Sequence, residues 1–168
     1  MSWTTIEIVT ARLRLRPFAP SDAAEAFSCI TPTLTRYMTF EPAPSAADFE
    51  TVWRAWLPAI AAGTDFTFTL RSDGRFIGLA GLHRTGDPEP ELGIWVRESE
   101  HRQGYGKEAV AAVAAWAGAA FAARALRYPV AEKNLPSRRI AERLGGQVFA
   151  HEQKAKYLAL IYRIPVRE

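Results

Sequence analysis

The densest group of residues that could do chemistry is the run Trp95-Val-Arg-Glu-Ser-Glu-His-Arg-Gln-Gly-Tyr-Gly-Lys-Glu108. A strand-like stretch precedes it and an alanine-dense helical stretch follows, so Gly104 and Gly106 fall at the junction. Glycines at such a junction let the backbone approach a ligand closely and leave the first helical amides without internal acceptors. Backed by the helix dipole, those amides form a site for a pyrophosphate, and Arg102 and Lys107 would add positive charge at its rim. The same pair of glycines also fits a tight turn that binds nothing. No G-x-x-x-x-G-K-[ST] run occurs, which excludes a P-loop. A dinucleotide fingerprint is disfavoured, because its third glycine would fall on Ala109 and the segment lies mid-chain after three strands. Further along, Asn134-Leu-Pro-Ser137 sits between an apolar strand and a short helix. Taken alone, both polar residues could simply cap the helix or fill the turn.

These residues need a scaffold, and the hydrophobic periods supply one. Arg12-Leu-Arg-Leu-Arg16 alternates like a half-buried strand ending at Pro17, its arginines forming one solvated or ion-paired face. Pro20-Ser21-Asp22 opens a helix running from Ala23 to Ile30. Thr31 to Pro44, with Tyr37 and Phe40, reads as a structured loop. Ser45 begins a second helix that runs to about Ala62 and closes at Gly63, with Phe49, Val52, Trp53 and Trp56 on its apolar side. The period then changes to two. Phe66 to Leu70, a turn at Ser72-Asp73-Gly74, and a return strand from Arg75 to His83 make a hairpin. A loop from Thr85 to Pro90 leads to a third strand, Glu91 to Arg97. The long helix from Gly104 to about Ala123 is followed by a strand, Leu126 to Ala131, a short helix, Pro136 to Leu144, and two closing strands, Val148 to His151 and Tyr157 to Ile164. The order describes a mixed α/β chain, one domain over residues 1–168 with no internal linker.

Together these segments resemble a known family. Arg75-Phe-Ile-Gly-Leu-Ala-Gly-Leu-His83, Glu91-Leu-Gly-Ile-Trp-Val96, Gln103-Gly-Tyr-Gly-Lys-Glu-Ala109 and Asn134-Leu-Pro-Ser-Arg-Arg-Ile140, ending at Gly145, look like the GNAT acyltransferases. More narrowly they are similar to the RimJ/RimL branch of ribosomal-protein N-terminal acetyltransferases, and Arg36-Tyr-Met-Thr-Phe40 followed by Pro44-Ser45 resembles that branch's loop before the second helix. The resemblance runs from Arg12 to about Val148. It implies an α+β fold with a central, mostly antiparallel twisted sheet flanked by helices, its strands splayed at the cofactor site.

The resemblance also implies a reaction: an amine attacks the thioester of acetyl-CoA directly. Trp95 and Val96 would pair with the pantetheine arm, one of their amides stabilising the oxyanion. The loop His101, Arg102, Gln103, Gly104, Tyr105, Gly106 with Lys107 would cradle the pyrophosphate. Asn134 would hold the pantetheine or substrate backbone, and Ser137 would face the leaving thiolate, which needs little help because it is already stable near neutral pH. Glu91 is the candidate base for the amine; it also reads as a solvated carboxylate at a strand end. Tyr37 and Phe40 are candidates to line the acceptor pocket, while Trp53 and Trp56 at helical spacing read as core. Three positions depart from the family's pattern. Ala141 stands where many members carry a tyrosine acid, His101 where an arginine or glutamine usually leads the loop, and Gly145-Gly146 where Gly-Phe is usual.

Composition bounds the remaining classes. The 168 residues are 48% apolar and 23% charged, an ordinary globular balance without repeats. The single cysteine, Cys29, excludes an internal disulfide and reads as a small buried residue on the first helix. No stretch approaches the roughly 20 apolar residues that span a bilayer, and Met1 to Arg16 carries charge too early for a signal-peptide core, so a cytoplasmic protein is expected. The net charge of +3 raises a nucleic-acid partner, but the basic residues are dispersed, and none is expected. His83, His101 and His151 lack metal-ligand spacing, so no metal is expected. The resemblance implies a small-molecule or peptide amine as acceptor. Asp87, Glu89 and Glu91 make its neighbouring loop acidic, which would suit a basic one. A homodimer through the closing strands is a candidate assembly. The competing reading is an acyl-CoA sensor that keeps the cofactor cradle without efficient transfer.

Overall fold

The computed structural model describes residues 2–167. One sheet of eight strands carries the fold, in the order β1-β2-β3-β4-β5-β6-β8-β7. In chain order the elements are β1 (Ile8–Val9), β2 (Arg14–Pro17), α1 (Ala23–Cys29), α2 (Pro32–Thr35), α3 (Ala46–Ala62), β3 (Asp65–Ser72), β4 (Arg75–His83), β5 (Glu91–Val96), α4 (Tyr105–Phe121), β6 (Ala125–Ala131), α5 (Leu135–Arg143), β7 (Gln147–Gln153) and β8 (Leu158–Pro165). Every pairing is antiparallel except β5 with β6, which pair in parallel at a single register position, Glu91 against Arg127. Beyond that point the two strands diverge. This is the mostly antiparallel sheet with splayed strands that the family resemblance implies.

Helices cover both faces of the sheet. Successive strand residues point to opposite sides, and β3 shows where each side leads. Phe68 packs edge-on against Trp116 of α4, at 5.3 Å between ring centroids, while Thr69 donates a hydrogen bond to Asp22 at the entry to α1. α1 and α3 therefore lie on one face and α4 on the other, with α5 beside α4. Phe66, Phe68, Leu70, Ile77, Leu82 and Leu92 are fully buried between the layers. Trp53 is buried and Trp56 packs against the same core, as their spacing predicts. Cys29 is buried on α1.

Two short elements escape the sequence reading. β1 has only two residues, too few for a period to appear. α2 is a single helical turn within the expected loop, capped by the Thr31 hydroxyl, which accepts from the Leu34 amide. The hairpin turn between β3 and β4 falls where expected: Asp73 and Gly74 both have positive φ, 49° and 78°, the mirror-image turn that a two-residue connection favours.

Candidate active site

A cleft of about 1260 Å³ runs along the splay between β5 and β6, from the start of α4 at one end to the loop after α2 at the other. It brings together every residue singled out in the sequence: Tyr37, Phe40, Glu91, Trp95, Val96, His101 to Lys107, Asn134 and Ser137 all line it. The β5 backbone forms one wall. The Arg97 amide bonds to Ile77 of β4, so by the two-residue alternation of an antiparallel ladder the amides of Trp95 and Gly93 also face β4. Those of Leu92, Ile94 and Val96 face the gap. Of the two expected oxyanion donors, Val96 therefore presents its amide to the cleft. Trp95 turns its amide to β4 and packs its ring on Phe76, at 5.8 Å.

At the α4 end, the turn departs from ordinary backbone twice: Arg102 has φ 65° and Gly104 φ 81°. Left-handed residues spaced this closely curl consecutive amides toward one centre, the shape that holds an anion. Among the described residues, no protein acceptor serves the amides of Arg102 through Lys107. A side chain at Gly106 would come within 2.9 Å of the Ile140 methyl, so a glycine is what lets α4 and α5 close around this point. Lys107 and Arg102 on one side and Arg139 and Arg143 of α5 on the other line the cleft without a carboxylate partner among the described residues.

The turn is braced from behind. Arg12 donates from Nε to Glu108 at 2.8 Å and from Nη1 to the Gln103 carbonyl at 2.8 Å, with its guanidinium 4.4 Å from the centre of the Tyr105 ring. Burial alone would raise the Glu108 carboxyl, but hydrogen bonds from Thr10 and Arg12 outweigh it and hold the group below the usual carboxylate range. Arg75 pairs with Glu100 and reaches the Tyr105 hydroxyl; Gln103 donates to Glu100. Tyr105 is buried, so its contribution to the cleft is its backbone, and its ring anchors the turn. His101 turns back toward β5, its Nε2 2.6 Å from the Val96 carbonyl oxygen. Arg12 and Arg75 are supports that sequence reasoning missed, because their partners lie far away in the chain.

At the opposite end, one register line crosses four strands: Asp65, His83, Glu91 and Arg127 are successive neighbours. Glu91 Oε1 accepts from Arg127 Nε at 3.3 Å and lies 3.5 Å from Arg84 Nη2, while Oε2 has no partner among the described residues. His83 Nδ1 lies 3.4 Å from Asp65, and the absence of a side chain at Gly81 gives its ring room. His83 joins the cleft through this register, a signal that its lack of metal spacing concealed. The acidic loop is internally balanced: Asp87 pairs with Arg84, and Glu89 with Arg163. It therefore offers no uncompensated negative charge to a basic acceptor. Across the cleft, Lys156 donates to the carbonyls of Thr35 at 2.8 Å and Phe40 at 3.0 Å and pairs with Glu41, strapping the Tyr37–Phe40 loop to the β7–β8 turn.

Between the two ends stands α5. The Asn134 side chain caps this helix, its Oδ1 3.5 Å from the Ser137 amide, as its bland role predicts. Ser137 lies in the first turn, facing the splay. Tyr128, a buried residue of β6, also lines the cleft. Ala141 is fully buried, so no side-chain acid comes from that position. Gly146 packs so closely on α5 that a side chain there would meet the Ala141 carbonyl at 2.8 Å, which explains why the usual aromatic is absent.

A mostly antiparallel sheet opened at one parallel seam, with a helix start of unpartnered amides at one end of the opening, is the architecture of an acyltransferase. Residues 12–147 match the profile described as an acetyltransferase (GNAT) domain, and the chain belongs to the GNAT acetyltransferase family. No curated protein matches the sequence. Solved structures do match in fold. RimJ from Mycobacterium smegmatis, in complex with CoA-disulfide, superposes with a TM-score of 0.82 at 18% identity, over 91% of this chain and 81% of that one. An acetyl transferase from Salmonella typhimurium that modifies the N-terminal serine of 50S ribosomal protein L7/L12 gives 0.84 at 14% identity, over 96% and 100%. A GCN5-related N-acetyltransferase from Brucella melitensis gives 0.77 at 19%, over 95% and 78%. No helix among the described residues is long and apolar enough to cross a membrane, and no cluster of metal-ligating side chains occurs among them.

Proposed function

We propose that this protein transfers an acetyl group from acetyl-CoA to an α-amino group, with the N-terminus of a peptide or protein as the first candidate acceptor. The observation that carries this reading is the turn of unpartnered amides at Arg102–Lys107, placed at one end of the β5–β6 opening and flanked by four cations. A pyrophosphate meets amides and helix dipole there, and Arg139 and Arg143 supply charge for a further phosphate. The Val96 amide, the outward β5 amide nearest the turn, would pair with the pantetheine arm, since the Val96 carbonyl is engaged by His101. An arm continuing along β5 would bring the thioester between Ile94 and Ser137, toward the end of the strand that holds Glu91.

In the proposed reaction the neutral amine attacks the thioester carbonyl from the Glu91 side. The Ile94 amide, which also faces the gap, donates to the developing oxyanion, the carbon–sulfur bond breaks, and Ser137 donates a hydrogen bond to the thiolate. The amine's proton leaves by way of the free Oε2 of Glu91, flanked by His83. The acceptor class follows from proton chemistry. An α-amino group titrates near 7.7–8.0, so roughly a tenth of it is already neutral at pH 7. A lysine ε-amine titrates near 10.4, and only about one molecule in two thousand is neutral. A cleft whose proton acceptors are a carboxylate and an imidazole is better matched to the first, and its balanced loop adds no attraction for polycations.

Acetyl-CoA-dependent thiol release, measured against peptides with free N-termini, free amino acids and polyamines, tests the proposal. Peptides or amino acids should accelerate thiol release well above hydrolysis, and polyamines should not. Tight acetyl-CoA binding with no accelerated release by any amine would favour the sensor; no binding would overturn the reading of the cleft.

A further inference from the structure

β4 and β5 contain three glycines, and each weakens its strand through backbone entropy and a missing side chain. The protein itself accounts for two of them. A side chain at Gly78 would strike the Trp95 carbonyl, and one at Gly81 would come within 2.7 Å of the His83 ring, which lies over it. Gly93 has no such reason. Its φ is outside the left-handed region, and a methyl built on its α-carbon meets no protein atom within 4 Å. The space opens into the cleft, which Gly93 lines. Register and strand alternation fix what surrounds it. Gly93 pairs with Gly81, and Glu91 and Trp95 flank it on the same sheet face. Thr67, Gly81 and Gly93 form one row on the face shared with Thr69, the α1 side of the sheet. The cleft floor there is bare backbone, edged by the His83 ring across the ladder and by Glu91 along the strand.

We propose that Gly93 is a specificity-determining residue: the bare strand face above it seats the α-carbon and first side chain of the acceptor. This rests on the acetyl-transfer reading above. The Gly93–Ile94 peptide carries the amide proposed to meet the oxyanion, so the carbonyl under attack lies against that peptide. The nucleophilic nitrogen must approach it from one sheet face or the other. On the α4 side, Leu92 is fully buried and Ile94 packs against the core, which fills the approach. On the α1 side Gly93 leaves the approach open, with Glu91 and His83 beside it. An amine arriving there brings the carbon that bears it, and that carbon with its substituent takes up the volume a side chain at position 93 would fill. A strand glycine that the fold does not require is a backbone position kept bare for a ligand's close approach. Alanine there would put a methyl into the seat, where it competes with the acceptor's own first side chain. The penalty therefore grows with the size of that side chain.

The test is kcat/KM for thiol release from acetyl-CoA, in wild type and Gly93→Ala, with peptides that differ only in their first residue: glycine, alanine, serine or leucine. Acetyl-CoA affinity by calorimetry and Tm are measured alongside. The glycine-first peptide should react in the variant at close to its wild-type rate. Peptides with a first side chain that wild type accepts should lose about tenfold or more, the scale of one misplaced methylene in a fitted pocket. Acetyl-CoA affinity should be unchanged. Tm should hold or rise, because alanine at an unstrained strand position loses less backbone entropy than glycine. An unchanged acceptor profile or an equal loss on every peptide would overturn the inference. So would a matching loss of acetyl-CoA affinity, which would give the space to the cofactor, or a lowered Tm, which would give the glycine a structural role. If wild type releases no thiol with any amine, the acetyl-transfer reading itself falls, and this inference with it.

Discussion

The two ends of the cleft are built by different means. The end proposed to hold the cofactor is backbone: consecutive amides from Arg102 to Lys107, shaped by two left-handed residues, with side chains serving as braces from behind. The end proposed for the acceptor is side chain: Glu91, His83, Tyr37 and Phe40 come from three separate stretches, held by the arginines of an ion-pair ladder and by one lysine strap. Backbone groups present the same donors whatever residues carry them, so the first end tolerates substitution wherever the turn geometry survives. The second end changes with every side chain. A common cofactor with varied acceptors is what such an asymmetry allows.

Perturbations should separate the two ends cleanly. The largest effect is expected for Glu91→Gln, which removes the proposed proton acceptor while keeping shape: turnover should fall on the order of a hundredfold, with acetyl-CoA affinity measured by calorimetry unchanged. Gly104→Val acts at the other end. It forces a β-branched residue to φ 81°, against Arg12, and should weaken acetyl-CoA binding by roughly tenfold or more. A normal affinity in that variant would show that the amide turn is not the anchor.

Smaller effects probe the braces. Lys156→Met releases two carbonyls and Glu41, and should raise the acceptor KM about three- to tenfold while leaving acetyl-CoA affinity intact. Equal changes in both constants would mean the strap supports the whole fold. The Glu108 brace carries a pH signature. Its carboxyl is held low, so its stabilising contribution is present above the ordinary carboxylate range and is lost as pH falls through the lowered value. The Tm of wild type should therefore drop more steeply in acid than that of Glu108→Gln, whereas the two should run in parallel through neutral pH.

Much of the cofactor end was legible in the chain. Gly104 and Gly106 at a strand-to-helix junction, with Asn134 and Ser137 opening the next helix, are local arrangements. Helix starts and tight turns depend on neighbouring residues, and neighbouring residues are what a sequence displays. The main strands and the three longer helices were legible for the same reason, because buried faces impose their period on the residues themselves.

The acceptor end and the supports came only from tertiary structure. Nothing near Glu91 announces that Arg127 will neutralise it; register across the β5–β6 seam does so. Arg12 reaches Glu108 and Lys156 reaches Phe40 because the fold brings together segments distant in sequence. Side-chain pairing depends on how the chain closes, and that closure is fixed by the whole core at once. The sequence determined a backbone cradle and the elements that hold it. The fold alone decided which charges cancel and which amides of β5 face the gap.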